Sequence, residues 1–182
     1  TEKVFLERIT ETVPANGKIQ PEMEVKISPD VSGEITELTI KEGDWVEKGD
    51  LLLRINPEIY AANLDRMKAS LNNMKSNLSQ QKAQLKDTEL KHNRNTNLFN
   101  KKAISSAEYE TSQNNYEIAQ LAVEASQYSV KSSEASLKEA QNNLNRTSIY
   151  APISGTISRL NVEKGERVVG TAQMNGTELL RI

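Results

Sequence analysis

Cysteine is absent from the 182 residues, which excludes a thiol nucleophile, a disulfide frame and thiolate metal sites but leaves the compartment open. Also missing is any apolar run approaching the roughly 18 residues that a membrane span needs. Thr1 opens without a signal-peptide pattern, so the chain is expected to be soluble or to be the trimmed, soluble portion of something longer. There is no basic excess either: the formal net charge is -2, which argues against nucleic acid as a partner. Histidine occurs once, as His92, and with no cysteine or second histidine beside it a packing or polar-layer role is expected, not a ligand role. The acidic residues Glu108, Glu110, Glu117 and Glu124 are scattered over a helix surface, and neither a carboxylate pair nor a nucleophile with its base can be assembled.

The most informative absence is positional. All eight glycines and five prolines fall outside the interval from Glu58 to Ala151, which leaves a helix-permitting stretch of unusual length. Inside it Leu64, Met67, Leu71, Met74, Leu78, Gln81 and Leu85 follow a 3,4 spacing that places them on one helical stripe. A second stripe runs at the same spacing from Tyr109 to Leu144, alternating bulky Tyr116, Val123 and Val130 with small Ser112, Ala119, Ser126, Ser133 and Ala140. Between them Asn100-Lys101-Lys102 suits a helix end, and Ser105 with Glu108 suits a capping box. The pattern predicts an antiparallel coiled-coil hairpin over 57–149 with its tip at about 99–106, the small residues facing the first helix. Each arm would reach on the order of 60 Å, more than a compact domain of this size can hold. A further stripe, Ile118, Leu121, Ala125 and Tyr128, either packs against a neighbouring hairpin or widens the seam.

Period-2 alternation marks short strands on both sides of the hairpin. Residues 4–9 and 17–20 read as short strands, Val25–Asp30 and Val31–Ile40 as half-buried strands, and Leu51–Ile55 as another, with Lys41–Asp44 and Lys48–Asp50 as turns and Asn56-Pro57 opening the first helix. Shifting the chain by 122 residues then superposes the segment before the hairpin on the one after it: Gly33 falls on Gly155, Ile35 on Ile157, Leu38 on Leu160, Gly43 on Gly165, Asp44 on Glu166 and Val46 on Val168. Leu51–Ile55 matches Glu178–Ile182 after an insertion around Gly170 and Gly176. Gly33, Gly43, Gly155 and Gly165 are therefore expected at turns or close approaches that recur in both halves. Neither half can bury a face alone, so the two are expected to pack into one β domain, 25–56 with 150–182, which the hairpin leaves and re-enters. The fold class is α+β.

The paired segments SGEITELTIKEGDWVEKGDLLLRI and APISGTISRLNVEKGERV resemble the two halves of a lipoyl domain. Their separation by a long helical hairpin is similar to the HlyD-type membrane fusion proteins, the periplasmic adaptor subunits of tripartite efflux and type I secretion systems. The resemblance covers about residues 25 to 182, and it would make 1–24 strands leading from a β-barrel and membrane-proximal region. It implies a non-enzymatic adaptor in the periplasm, anchored at the inner membrane in the full-length protein and without a cofactor. Its implied partners are an inner-membrane pump, a TolC-type outer-membrane channel and further copies in a hexameric ring; the long arms lean toward the ABC-linked, MacA-like branch over a proton-driven one.

Arg94, Leu98 and Ser105 at the tip have the spacing of the Arg-Leu-Ser motif by which many such adaptors engage the channel. An Arg fork takes exposed carbonyls, a Leu fills an apolar notch and a hydroxyl bonds either way. Against this, Arg94 suits a solvated helix charge, Leu98 a hairpin closure with Phe99 and Ile104, and Ser105 a plain N-cap. A lipoyl or biotinyl carrier would bear a modified lysine where the halves join, but the hairpin occupies that junction; Lys41, Lys48 and Lys164 sit in other turns. A carrier domain is thus disfavoured by the missing lysine, and a free-standing coiled-coil scaffold by the β repeat.

Overall fold

The computed structural model describes residues 23–171 and 177–182, together with Lys3, Glu11, Thr12, Pro14 and Asn16. The strands expected at 4–9 and 17–20 lie outside the described residues. Before the hairpin come β1 (Lys26–Ile27), β2 (Gly33–Leu38), β3 (Trp45–Val46) and β4 (Leu51–Ile55). The helices are α1 (Glu58–Asn100) and α2 (Ser106–Asn145), followed by β5 (Ser148–Tyr150), β6 (Gly155–Thr156), β7 (Arg159–Leu160), β8 (Arg167–Val168) and β9 (Leu180–Arg181). The strand expected over 25–30 shrinks to the two residues of β1, because Pro29 cannot donate to a ladder. The expected strand over 31–40 is β2 alone.

The two halves pair by exchange. Gly33 of β2 lies opposite Val168 of β8, and Gly155 of β6 lies opposite Val46 of β3, the same pair with the halves swapped. Within each half Leu38 faces Leu53, and Leu160 faces Leu180. The turns are exchanged too. Gly43 N–H donates to Ile157 O at 2.9 Å, and Gly165 N–H donates to Ile35 O at 2.8 Å. Each turn carries its own acidic clamp: Lys41 N–H donates to Asp44 Oδ2 at 2.8 Å and Glu163 N–H to Glu166 Oε2 at 3.0 Å. Bonds within each half and bonds exchanged between the halves thus occur in matching places, and the β domain is one pseudo-twofold unit.

The core follows from this interleaving. Ile35, Leu52, Leu53 and Ile55 from the first half and Ile157, Val168, Leu179 and Leu180 from the second are excluded from solvent. Leu52 and Leu53 are both buried although adjacent strand residues normally point to opposite faces; the register of β4 against β5 shifts between Leu51 and Leu53, and that irregularity turns both inward. At the hairpin root, Ile55 N–H donates to Thr147 O at 2.8 Å, buried Thr147 turns its hydroxyl back onto Leu144 O at 2.7 Å, and Tyr60 Oη donates to Ser32 O at 2.8 Å. These bonds tie both helix roots to the sheet.

The arms contain 43 and 40 residues, or on the order of 60 Å each. Pro57 stands at the N-cap of α1 and Asn56 Oδ1 accepts from Glu58 N–H at 3.0 Å. Leu71 on α1 and Ser112, Ala119, Val123, Val130 and Ala140 on α2 are buried, while Ser126 and Ser133 are half-buried. The seam is the anticipated stripe of small residues against longer ones. Ser126 Oγ donates across it to Asn77 Oδ1 at 3.2 Å. Lys75 and Glu134 also meet across the helices at 3.7 Å, an exposed pair that contributes little.

Candidate functional site at the hairpin tip

The end of α1 is sealed by its own backbone. Ala103 N–H donates to Leu98 O at 2.9 Å and Lys102 N–H to Phe99 O at 2.8 Å, the paired bonds of a Schellman motif. The motif requires a left-handed residue, which is Lys102 at φ 60°. Glycine or asparagine usually fills that position, and this is why the sequence placed the helix end at Asn100 without locating the left-handed residue.

Three residues later the chain turns back. Ser105, extended at φ −76° and ψ 158°, caps α2 by accepting from Glu108 N–H at 3.2 Å. This is half of the expected capping box: among the described residues no bond returns from the Glu108 carboxylate to Ser105 N–H. One acceptor site of the hydroxyl is thus used and its proton is free to donate outward.

Beneath the tip lies a ring stack that sequence reasoning missed. Phe99 and Tyr109 stack with centroids 4.7 Å apart, Tyr109 leans on His92 at 5.7 Å, and His92 lies flat on Tyr116 at 5.4 Å. Phe99, Tyr109 and Tyr116 lie on the seam at heptad spacing with His92, and that shared spacing was the available signal. His92 is a packing residue whose Nδ1 is buried without a partner among the described residues. The stack closes the seam through Phe99. Leu98, one residue earlier, is half-buried, and Arg94, one turn below it, is exposed and makes no ion pair among the described residues. Arg94, Leu98 and Ser105 therefore gather at the distal end of the hairpin, remote from the β core.

The other singled-out residues are structural. Gly43 and Gly165 have φ of 91° and 90° in the two exchanged turns. Gly33 and Gly155 are strand residues and not turns; what each needs is closeness, since a Cβ on Gly33 would lie 2.5 Å from Ile55 and one on Gly155 2.6 Å from Ile182. Lys41, Lys48 and Lys164 are exposed turn residues, and the junction where a carrier lysine would sit is the root of the hairpin. Among the described residues no three His, Asp or Glu side chains converge as metal ligands would.

A family model described as "RND MFP, barrel-sandwich hybrid domain" matches residues 23–177. The chain belongs to this family of membrane fusion proteins. It is 38% identical over 176 residues to the pyoverdine export membrane fusion protein PvdR of Pseudomonas putida, covering 96% of this chain and 44% of PvdR. Similarity to the macrolide export protein MacA of Escherichia coli O157:H7 is 27% over 165 residues, 91% of this chain and 44% of MacA. The chain thus spans less than half the length of these relatives. The crystal structure of MacA from Actinobacillus actinomycetemcomitans superposes with a TM-score of 0.80 at 27% identity, over 86% of this chain and 48% of that one. The expected α+β fold, two interleaved lipoyl-like halves with an inserted hairpin, is the family's fold, and the membrane fusion relatives are not enzymes.

Proposed function

We propose that this protein is a periplasmic adaptor that joins an inner-membrane export pump to a TolC-type outer-membrane channel, with Arg94, Leu98 and Ser105 as the channel-docking residues. The observation that carries this reading is the division of labour at the tip. Phe99 stacks on Tyr109 and the Lys102 turn seals α1, while Arg94 is exposed and Leu98 half-buried near the end of an arm reaching on the order of 60 Å. A spacer alone would need only solvated residues there.

The ring, the pump and the anchor follow in the same reading. The full-length protein is held at the inner membrane and works as a hexameric ring, with the β domains side by side and the hairpins forming a tube. MacA and PvdR are both named as export proteins, which supports export as the task; the long arms lean toward an ABC-type pump over a proton-driven one. No helix of the described residues is long and apolar enough to cross a membrane, so the adaptor reading assigns none of them to the bilayer.

The absence of cysteine from these 182 residues leaves the hairpin open to single-cysteine labelling. Ala103→Cys in the full-length protein, carrying a thiol-linked photo-cross-linker, should yield an adduct with the outer-membrane channel in cells. The same label at Asn72→Cys, low on α1, should not. If pump binding persists and only Asn72→Cys labels the channel, or neither does, tip docking is wrong.

A further inference from the structure

We propose that Lys101 and Lys102, with Arg94, form a cationic cap on the hairpin that selects an outer-membrane channel whose periplasmic rim carries carboxylates. The inference rests on the docking reading above and adds to it the charge of the partner and two further residues. Elsewhere along the hairpin the charges are mixed in sign, and Lys75 meets Glu134, Lys86 meets Glu89 and Lys91 meets Asp87. From 90 to 107 the chain holds no acidic residue, although Asp and Glu outnumber Lys and Arg in the whole of it, 25 to 23. The same stretch holds Lys91, Arg94, Lys101 and Lys102. Lys91 is engaged by Asp87, while the other three are exposed and enter no ion pair among the described residues. The first acid beyond the run, Glu108, lines the groove between the helices together with Lys91, on the flank of the hairpin.

The fold does not ask for these lysines. Cations at a helix C-terminus commonly serve its last carbonyls, but here the backbone serves them: the N–H groups of Lys101, Lys102 and Ala103 donate to Asn97, Phe99 and Leu98 O at 3.3, 2.8 and 2.9 Å. Among the described residues Lys102 is moreover the sole non-glycine residue with a positive φ. Glycine would avoid the conformational cost of that position. A strained residue that the turn would be better without points to a use outside the fold.

That use is recognition of negative charge on a protein. Ammonium groups on flexible stems at the end of a long arm speed encounter with an oppositely charged surface and repel a cationic one. They therefore decide between partners more than they add affinity. Leu98 can fill an apolar notch on any channel of suitable shape, whereas the cap separates such channels by the charge of their rims. A lipid surface fits less well, because segments that bind anionic lipid cluster about four to eight cations, and the cap consists of Arg94, Lys101 and Lys102 alone.

Charge variants of the full-length protein test the cap, each carrying the photo-cross-linker at Ala103→Cys and read by its channel adduct in cells. Lys101→Ser with Lys102→Gly should lower the adduct about fivefold or more without lowering the melting temperature, a combination that a merely structural lysine would not give. Lys101→Arg with Lys102→Arg should keep the adduct. Lys101→Glu with Lys102→Glu should fall below the neutral variant, because an acidic rim repels it. With purified channel, raising salt from about 50 mM to about 500 mM should weaken the parent and leave the neutral variant nearly unchanged. Parental adduct yield in the neutral variant, loss in the arginine variant, or equal loss in the neutral and reversed variants would each overturn the cap and leave tip docking standing. No adduct in the parent overturns both. Sedimentation of the parent, but not of the neutral variant, with vesicles of anionic phospholipid would give the cations to a lipid surface and overturn the inference.

Discussion

Gly33 lies directly against Ile55. A Cβ at Gly33 would stand 2.5 Å from Ile55 Cγ2, and the equivalent residues of the second half repeat the contact, with Gly155 2.6 Å from Ile182 Cγ2. Both isoleucines belong to the buried core, so neither can swing away. Gly33→Ala should overpack the domain at a cost of about 1 to 3 kcal/mol. Ile55→Leu, which removes Cγ2, should recover part of that loss in the double variant, whereas Ile55→Val, which keeps Cγ2, should not. Thermal melts of the four proteins decide it, and equal rescue by Leu and Val would mean that the contact is not the cause. The helical signal should outlast the β domain in Gly33→Val, because the hairpin has its own seam.

The seam carries a second expectation. Ala119 is 8% exposed against α1, and Ala119→Phe should cost about 1 to 3 kcal/mol by forcing the helices apart. Ala135, exposed on the outer line of α2, should accept Phe with little change in melting. Equal effects at the two positions would place the seam elsewhere.

Legibility followed the range of the interactions involved. The hairpin was readable because a helix is a local object: the missing glycines and prolines permit it, and stripes such as Leu64–Leu85 orient it. The repeat of Gly33 with Gly155 announced one β domain for a similar reason, since each half encodes its own turns. That each turn bonds to the other half was not readable, because Gly43 and Ile157 meet only across the inserted hairpin. The same limit applied at the tip. Arg94, Leu98 and Ser105 stood out by spacing, but the stacking of Phe99 on Tyr109 is a contact between helices and could not be read from either helix alone.

Lys102 offers a gain of stability in place of a loss. Its left-handed conformation, φ 60°, costs an L-residue roughly 1 kcal/mol or more that glycine avoids. Lys102→Gly should therefore raise hairpin stability by about 0.5 to 1 kcal/mol net of the added unfolded-state freedom. A melt at unchanged or lower temperature would show that the lysine side chain is itself held in the turn.

Acid should act through Glu178. A hydrogen bond from Arg181 holds its carboxyl below the usual carboxylate value, and the charge of Arg181 reinforces this against some desolvation; Arg181, bonded also to Glu24 at 2.7 Å, is pushed upward and stays charged. A lowered folded-state pKa contributes stability that is present above the unfolded value and lost as pH falls through the folded one. The melting gap between the wild type and Glu178→Gln should therefore be fully present above the ordinary carboxylate value and shrink as pH falls below it. A gap that stays constant across that range would remove the pair from the acid response.

The tip residues should matter for assembly and not for folding. Phe99 stacks on Tyr109 and the turn at Lys102 seals α1, so on the docking reading neither Arg94 nor Leu98 should be needed to hold the hairpin together. Arg94→Asp reverses the charge offered to partner carbonyls, and Leu98→Asp places a charge where an apolar notch is expected; truncations at an interface hot spot often cost about 2 kcal/mol or more. In the full-length protein both variants should keep wild-type helicity and melting while channel cross-linking and export fall together. Circular dichroism melts run beside the cross-linking assay separate the outcomes. Undiminished cross-linking in either variant would mean that the spacing of Arg94, Leu98 and Ser105 is coincidental. A lowered melting temperature in Leu98→Asp, with export lost, would instead return Leu98 to closing the hairpin alongside Phe99 and Ile104, and would leave Arg94 alone to carry the docking reading.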